Sequence, residues 1–205
     1  MTPDEDLPFS APADRNKGPI LEVLARVLPA SARVLEIASG TGQHAAHFAA
    51  GHGGWTWQPT DAEAASLPAI ARRCEGLANV RPPLHLDVLA WPEAVGRGFD
   101  AVYCANMLHI SPWPTCAALM RGASACLRPG GALVLYGPFL VDGEATASSN
   151  LAFDADLRAR NPAWGIRRLA DVAEEAAHCG LTLEQRIAMP ANNLALVFRA
   201  AAAPH

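Results

Sequence analysis

The chain has 205 residues, of which 51% are hydrophobic, and a formal net charge of −4. This length and apolar content predict a single α/β domain over residues 1–205, and the negative charge argues against a nucleic-acid partner. No apolar run reaches membrane-spanning length, so no membrane partner is expected.

The N-terminus and the cysteines predict a cytoplasmic protein. Residues 1–6 are acidic and do not resemble a secretion signal. The five cysteines are scattered along the chain without a C-x-x-C pair. This pattern favours reduced thiols over disulfides or a metal site.

The first 28 residues predict an irregular arm followed by a helix. Residues 1–14 contain Pro3, Pro8 and Pro12, so we expect irregular structure there. In residues 15–28 the apolar side chains recur at helical spacing, which predicts a helix.

Residues 33–136 alternate between apolar strands and helical patterns. Strands are predicted at 33–37, 55–58, 84–86, 101–104 and 132–136. Helices are predicted at about 42–50, 63–74 and 111–127. The last of these begins at Ser111-Pro112, a capping serine followed by proline, and residues 128–131 are predicted to form a turn.

The alternation stops at a polar insertion, residues 138–167. Within it, a helix is predicted at 148–160, and Asn161-Pro162 should end that helix. A further helix at 169–179 precedes two strands, 181–188 and 194–199. The link between these strands is too short for a helical crossover, so they should pair antiparallel.

The most informative motif is VLEIASGTGQH, residues 34–44, where an apolar run passes through a small-residue turn into a helical pattern. Gly40 and Gly42 permit a sharp turn and a close approach of a ligand to the backbone. The helix that follows presents free N–H groups at its start. The motif therefore predicts a site for an adenosine-containing cofactor.

Two cofactors compete for this site. Residues 40–45 fit G-x-G-x-x-A, a form of the dinucleotide fingerprint. However, the acid before the loop, Glu36, followed by small residues including Ser39, resembles the first motif of class I S-adenosylmethionine (SAM) methyltransferases. Ala38 stands where that motif usually has its first glycine.

The dehydrogenase alternative is less consistent with the rest of the chain. A short-chain dehydrogenase requires a tyrosine with lysine four residues later, but Tyr103 and Tyr136 are followed at that spacing by Met107 and Leu140. Five strand–helix units closed by an antiparallel pair instead indicate the class I methyltransferase (Rossmann-like) fold. We therefore expect a mostly parallel seven-stranded sheet with an antiparallel C-terminal strand and helices on both faces.

Acidic residues after two strands are candidates for cofactor binding. Asp61 follows strand two, where a carboxylate accepts hydrogen bonds from ribose hydroxyls; its alternative role is to cap the next helix. Asp87 follows strand three and is placed to meet the adenine amino group, with Val88 against the ring. Its alternative is an ordinary turn aspartate.

The end of strand four should face the substrate, because ligands bind beyond the carboxyl ends of parallel strands. Asn106 is a candidate there for contact with the cofactor. His109 is a candidate general base, since the free pKa of histidine lies near neutrality. The alternative is a histidine packed at a helix entrance.

Three histidines, His44, His47 and His52, invite a metal interpretation, which we do not favour. His44 and His47 lie three residues apart on one predicted helix, but no carboxylate or cysteine joins them nearby in the sequence. No metal site is predicted.

A set of five motifs spread over nearly the whole chain resembles the DUF938 family of methyltransferase-like proteins. The motifs are SAPADRNK (10–17), EIASGTGQH (36–44), CANMLHISPW (104–113), YGPF (136–139) and MPANNL (189–194). The resemblance implies a SAM-binding fold. It also draws attention to Arg15 and Asn16, which would close over the cofactor, and to Tyr136 near the acceptor.

The same resemblance directs attention to the insertion, whose position usually forms the roof over the methyl acceptor. Asn150, Asp154, Arg158 and Arg167 are too polar for a core, and a solvated surface is their alternative interpretation. Because arginine binds carboxylate or phosphate bidentately, a small anionic acceptor is one expectation.

These observations predict a SAM-dependent methyltransferase that acts on a small molecule. An already activated methyl group requires mainly alignment of the reacting atoms. Two alternatives stay open: an NAD(P)-binding oxidoreductase, and a non-catalytic SAM-binding regulatory protein.

Overall fold

A computed structural model of the chain describes residues 7–202. Its helices are α1 (Ala11–Val27), α2 (Gln43–Gly51), α3 (Leu67–Arg73), α4 (Pro114–Cys126), α5 (Ser148–Arg160) and α6 (Leu169–His178). Its strands are β1 (Ala32–Ile37), β2 (Trp55–Asp61), β3 (Leu84–His85), β4 (Phe99–Ala105), β5 (Leu127–Gly137), β6 (Phe139–Leu140), β7 (Arg167–Arg168), β8 (Leu181–Met189) and β9 (Asn193–Ala200).

Seven of these strands form one sheet in the order β3-β2-β1-β4-β5-β9-β8. The first five run parallel, whereas β9 lies antiparallel between β5 and β8. The mostly parallel seven-stranded sheet expected from the sequence is confirmed, including the antiparallel pairing of the last two strands.

Helices cover both faces of the sheet because its central strands are apolar on both sides. Alternate residues along β1 contact different clusters: Leu35 packs with residues of α4 and α6, and Val34 packs with residues of α1 and α2. This alternation follows from the two-residue repeat of a strand. Among residues 7–202, no helix combines the length and apolar character needed to cross a membrane.

Helix α1 begins earlier than the sequence predicted. The prediction of irregular structure was wrong for residues 11–14, which are helical. Residues 1–6, also covered by that prediction, lie outside the described part of the chain. Ser10 caps the helix by accepting a hydrogen bond from Ala13 N at 3.3 Å. Pro12 fits the first turn, where a missing N–H costs no helical hydrogen bond.

Two boundaries near β5 also differ from the prediction. Helix α4 begins at Pro114, because the Ser111 hydroxyl donates to Met107 O at 2.8 Å instead of capping the helix. Residues 128–131, predicted as a turn before the strand, form an irregularity within β5 between the pairs Phe99–Leu127 and Ala101–Ala132.

The insertion contains the predicted helix, α5, and a feature that the sequence analysis missed. Strands β6 and β7 pair parallel, Phe139 with Arg167 and Leu140 with Arg168. This two-stranded sheet joins the two ends of the insertion. As a result the insertion returns to the same edge of the large sheet from which it departs.

Candidate functional site

The residues predicted to bind a cofactor follow neighbouring strands. Strand β1 lies between β2 and β4, and the three run parallel. Their carboxyl ends therefore share one edge of the sheet. The loop after Ile37, the carboxylate of Asp61 and the turn at Asn106 all lie along this edge.

The loop between β1 and α2 adopts a left-handed backbone at three positions. The φ angles are 57° at Ala38, 56° at Gly40 and 74° at Gly42. A Cβ atom on Gly42 would lie 3.1 Å from the backbone of Ile70, which favours glycine there. Ala38 occupies a conformation that suits glycine better, consistent with its place in the motif.

Asp61 and Ser39 hold this loop to β2. Gly40 N donates to Asp61 Oδ2 at 2.7 Å, and Ser39 N donates to Thr60 O at 2.8 Å. In return, Thr60 N donates to Ser39 Oγ at 3.2 Å. Asp61 Oδ1 also accepts from Glu63 N at 2.9 Å, so the capping role considered from the sequence is present.

Glu36 and Asp61 form a pair of buried carboxylates beside the loop. Glu36 is 2% exposed and accepts a hydrogen bond from Trp57 Nε1 at 2.9 Å. The pKa of Glu36 is raised to about 7, mainly by burial. The Asp61 carboxylate acts in the same direction, and hydrogen bonds from Trp57 and Ser39 oppose the shift. Within residues 7–202, neither carboxylate forms an ion pair.

Asp87 begins a short 3-10 turn that follows β3. Its Oδ1 atom accepts from Leu89 N at 2.9 Å, which is the turn role considered as its alternative. Val88 is buried, whereas Leu89 is 60% exposed. The predicted adenine contacts of Asp87 and Val88 stay predictions.

A hydrogen-bonded chain connects α1 to the sheet, which the sequence analysis missed. His44 Nε2 lies 2.7 Å from Asn16 Oδ1, and His44 Nδ1 lies 3.3 Å from Tyr103 OH. Burial lowers the pKa of His44 to about 4, so the ring is neutral near pH 7. Burial raises the pKa of Tyr136, and the nearby Asn16 side chain opposes this shift. Arg15 is exposed.

The segment that enters α1 is fixed to the cofactor loop. Ser10 N donates to Gln43 Oε1 at 2.6 Å. Arg73 donates to Thr41 O at 2.8 Å and to Pro8 O at 2.7 Å. Residues 8–10 therefore lie against the loop, a contact that depends on tertiary packing and has no local sequence signal.

His109 is buried at the end of β4. It is 1% exposed, neither ring nitrogen has a hydrogen-bond partner in the described part of the chain, and the space around the ring has no room for a water molecule. The pKa of His109 is lowered to about 3, mainly by burial and in part by the nearby Arg167 guanidinium. The ring packs edge-on against Phe139, with centroids 5.0 Å apart, and Nε2 occupies the space where a Cβ on Gly137 would lie.

The polar residues of the insertion bind one another. Asp154 accepts from Arg158 Nε at 2.8 Å and from Ile166 N at 2.7 Å. Burial opposes ionisation of Asp154, but these two hydrogen bonds hold its pKa below the usual value. Asn150 Nδ2 donates to Asn192 O at 2.9 Å.

Arg167 fastens the insertion to the turn that contains His109. Its guanidinium donates to Leu108 O at 2.8 Å, Ser111 O at 2.5 Å and Ala163 O at 2.9 Å. Arg158 and Arg167 are thus both engaged within the protein. The expectation of an anionic acceptor rested on these two arginines. It stays a prediction, and their contacts within the protein do not support it.

The metal alternative gains no candidate from the geometry. In the described residues, no three His, Cys, Asp or Glu side chains converge in a way that could hold a metal ion. His44, one of the three histidines that prompted the alternative, uses both ring nitrogens in the contacts described above.

Comparison with known proteins identifies a family and a fold. Residues 7–200 match the family described as "Protein of unknown function (DUF938)". An O-methyltransferase family protein from Burkholderia thailandensis is similar in structure, with 18% identity, a TM-score of 0.74, and 94% of this chain and 58% of that chain covered.

Two further solved structures show the same similarity. The SAM-dependent methyltransferase SibL, in its apo form, has 21% identity and a TM-score of 0.76, with 92% of this chain and 55% of that chain covered. Human N-acetylserotonin methyltransferase, in complex with SAM, has 15% identity and a TM-score of 0.72, with coverage of 92% and 52%. At these identities the similarity shows the fold, and the chain spans little more than half the length of these structures.

Proposed function

The chain belongs to the DUF938 family, and we propose that it is a SAM-dependent methyltransferase that acts on a small-molecule acceptor. Its fold is that of SAM-dependent methyltransferases. Two buried carboxylates, Glu36 and Asp61, carry the proposal, because neither has an ion-pair partner in the described part of the chain. Buried carboxylates that lack a cation are costly, so their presence beside a glycine loop favours a positively charged ligand.

SAM, when bound, supplies a methyl group activated by a positively charged sulfur, together with an ammonium group, ribose hydroxyls and adenine. In the proposal, Glu36 lies toward the ammonium end and Asp61 accepts from the ribose hydroxyls. The backbone of Ser39, Gly40 and Gly42 allows a close approach. The strand order supports these positions, because parallel strands β1 and β2 end at the same edge of the sheet.

Five further residues complete the proposed cofactor site. Asp87 and Val88 would contact adenine, and Asn106, which has φ of 60°, would lie below the reacting sulfur. Arg15 and Asn16 would lie over the cofactor from α1. Asn16 is already held near this edge of the sheet, because its Oδ1 atom lies 2.7 Å from His44 Nε2.

The proposed catalytic group is less accessible than the cofactor site. His109 would accept a proton from a hydroxyl acceptor, but this requires the Arg167-held segment to move away from the ring. Tyr136 would orient the acceptor from β5. We propose that Asn150, Asp154 and Arg158 act through the position of the insertion over the site.

The cofactor assignment can be tested by calorimetry on the intact chain. The protein should bind SAM and its demethylated product, and should not bind NADH comparably. Asp61→Ala should weaken SAM binding by about 1.5–3 kcal/mol, because ribose hydroxyls lose a charged acceptor. Asp156→Ala, an exposed acid on α5, is the matched control and should bind SAM like the parent.

Two results would overturn this assignment. Unchanged SAM affinity in Asp61→Ala would remove that residue from the site. Tight NADH binding without SAM binding would favour the oxidoreductase alternative.

A non-catalytic SAM-binding protein is a second candidate, favoured by the burial of His109. It predicts SAM binding without methyl transfer to any member of an acceptor panel of thiols, amines, phenols and carboxylates. Methyl transfer to any of these, detected as release of the demethylated cofactor, would exclude it.

A further inference from the structure

A cavity of about 240 Å³ lies between the insertion and the hairpin that joins β8 to β9. We name it the hairpin cavity and define it by lining residues from 139–150 and 188–194. It opens at the same sheet edge as the cofactor site, because β9 runs antiparallel and begins where β5 ends. Its volume is enough for a molecule of about ten to fifteen non-hydrogen atoms.

The walls of the hairpin cavity are joined to each other by polar contacts. Asn150 Nδ2 donates to Asn192 O at 2.9 Å, and Asn192 Nδ2 donates to Ser149 Oγ at 3.2 Å. On the outer side, Arg186 forms an ion pair with Glu144 at 2.7 Å. These contacts connect the insertion to the hairpin and hold the cavity open between them.

The hairpin has an unusual backbone at the cavity. Ala191 and Asn192 are consecutive non-glycine residues, each with φ of 57°. Left-handed backbone costs free energy for residues with a Cβ, and such strain persists where the surrounding structure fixes it and often where a ligand binds.

Two amide oxygens of the hairpin cavity are left to accept hydrogen bonds from a ligand. The amide N–H groups of Asn150 and Asn193 donate to backbone carbonyls, which also fixes the orientation of both amides. Neither Oδ1 atom has a hydrogen bond within residues 7–202, and the Thr146 hydroxyl, which also lines the cavity, can accept or donate. Glu144 is the single ionisable side chain among the described lining residues, and its carboxylate is paired with Arg186. Because no described lining residue is a cation, the cavity favours a ligand that donates hydrogen bonds over an anion.

An apolar wall connects the hairpin cavity to the candidate catalytic residues. Phe139 lines the cavity and also packs edge-on against His109. Leu194 lines it and pairs with Gly137, beside which Asn106 lies. Neighbouring strands are about 5 Å apart, so the cavity begins roughly one to two strand spacings from Asn106.

We infer that the hairpin cavity binds the methyl acceptor, and that this acceptor is a small alcohol or amine with an apolar body and no negative charge. This inference rests on the proposed function. It replaces the anionic acceptor with a hydrogen-bond donor, because the arginines that suggested an anion are engaged within the protein.

The test uses three probes of similar shape: benzyl alcohol, benzylamine and benzoate. The methyl groups of the methionines are labelled with ¹³C, and Met189, which lines the cavity, is assigned by its loss in Met189→Leu. Met120, buried in the core, serves as the reference. Benzyl alcohol and benzylamine should shift the Met189 signal in a saturable titration, and benzoate should bind at least ten times more weakly.

Variants locate the binding. Ala145→Trp, which fills the hairpin cavity, should abolish the shift, whereas Ala155→Trp, on the exposed surface of α5, should leave it intact. Equal or tighter binding of benzoate, or no Met189 shift from any probe on the parent protein, would overturn the inference.

SAM binding, measured separately by calorimetry, keeps the two proposals distinguishable. SAM binding without probe binding refutes the hairpin cavity alone. Probe binding at Met189 without SAM binding refutes the proposed function and, with it, the assignment of the probes as methyl acceptors.

Discussion

The cofactor edge (Glu36, the loop 38–42 and Asp61) and the insertion (138–167) differ in whether their charged side chains form ion pairs. At the cofactor edge, two buried carboxylates accept hydrogen bonds from backbone and side-chain donors but have no cation partner in the described chain. In the insertion, the acids and arginines are matched, as in the pair between Asp154 and Arg158 at 2.8 Å.

The difference indicates which region depends on a ligand. Burial raises the pKa of Glu36 from 4.5 to about 7. Between these two pH values, Glu36 is protonated in the folded state and ionised in the unfolded state. Stability therefore falls as pH rises from about 4.5 to 7, by about 3 kcal/mol in total. A bound cation would offset this cost, whereas the insertion has already satisfied its own charges.

The largest expected effect is on SAM affinity in Glu36→Gln. The substitution keeps an oxygen for Trp57 Nε1 but removes the charge, so SAM should bind on the order of 100-fold more weakly. At pH 8 the unliganded variant should be more stable than the parent by about 1–3 kcal/mol, because the buried charge is gone. Calorimetry and denaturant unfolding measure the two effects.

Glu36→Gln should lower SAM affinity and raise the stability of the unliganded protein, and these opposite signs distinguish a lost ligand contact from a general loss of structure. A second check is proton release: a nearby cation lowers a carboxyl pKa, so SAM binding at pH 6.5 should release a proton in the parent and none in Glu36→Gln. Calorimetry in buffers of different ionisation enthalpy measures the number of protons released when SAM binds. Weaker binding together with lower stability in Glu36→Gln would mean that the variant is simply misfolded.

The next effect concerns His109, which is buried and neutral. Its folded pKa of about 3 lies below the unfolded value of 6.5, so below pH 6.5 the unfolded state binds a proton that the folded state does not. Relative to His109→Leu, the parent should lose about 2 kcal/mol of stability between pH 7 and pH 5. His44 and Glu36 also titrate in this range but are common to both proteins.

Urea unfolding at several pH values measures this difference. Parallel pH profiles for the parent and His109→Leu would show that the His109 ring is protonated in the folded state. In that event the ring has access to water, and its role as a base would need no movement of the insertion.

A smaller effect is expected in the insertion from Asp154→Ala. Ile166 N loses its acceptor and the partly exposed Arg158 loses its ion pair, which together should cost about 1 kcal/mol of stability. SAM affinity should not change, since Asp154 is paired with Arg158 inside the insertion and not with a group at the cofactor edge. A tenfold or larger loss of SAM affinity would contradict the separation of the two regions.

The residues of the site that could be predicted from sequence are those whose position depends on the order of the strands along the chain. Glu36 and Asp61 end neighbouring parallel strands, so a motif and a strand count were enough to place them at one edge. The contact between Asn16 and His44 depends on how α1 packs against α2, and nothing in the local sequence specifies it. The pair of Asp154 and Arg158 had a readable signal, four-residue spacing on a predicted helix.

Other features depend on which of several possible hydrogen-bond partners a side chain contacts, and a single sequence does not show this. Ser111 had the residue type of a helix cap, but its hydroxyl bonds to Met107 O within the preceding turn. Arg167 was interpreted as a ligand-binding arginine, but its guanidinium donates to the backbone of Leu108 and Ser111, more than 50 residues away in the sequence, and to nearby Ala163.

The smallest effect tests the loop backbone at the cofactor edge. Ala38 has φ of 57°, where a Cβ is unfavourable, so Ala38→Gly should relieve strain and raise stability by about 0.5–1 kcal/mol after the entropy of glycine is counted. Ala46→Gly, within α2, is the matched control and should lower stability by about 1 kcal/mol. Thermal unfolding measures both. If the two variants are destabilised equally, Ala38 is not strained, and the preference for glycine at this position of the motif must come from contact with the cofactor.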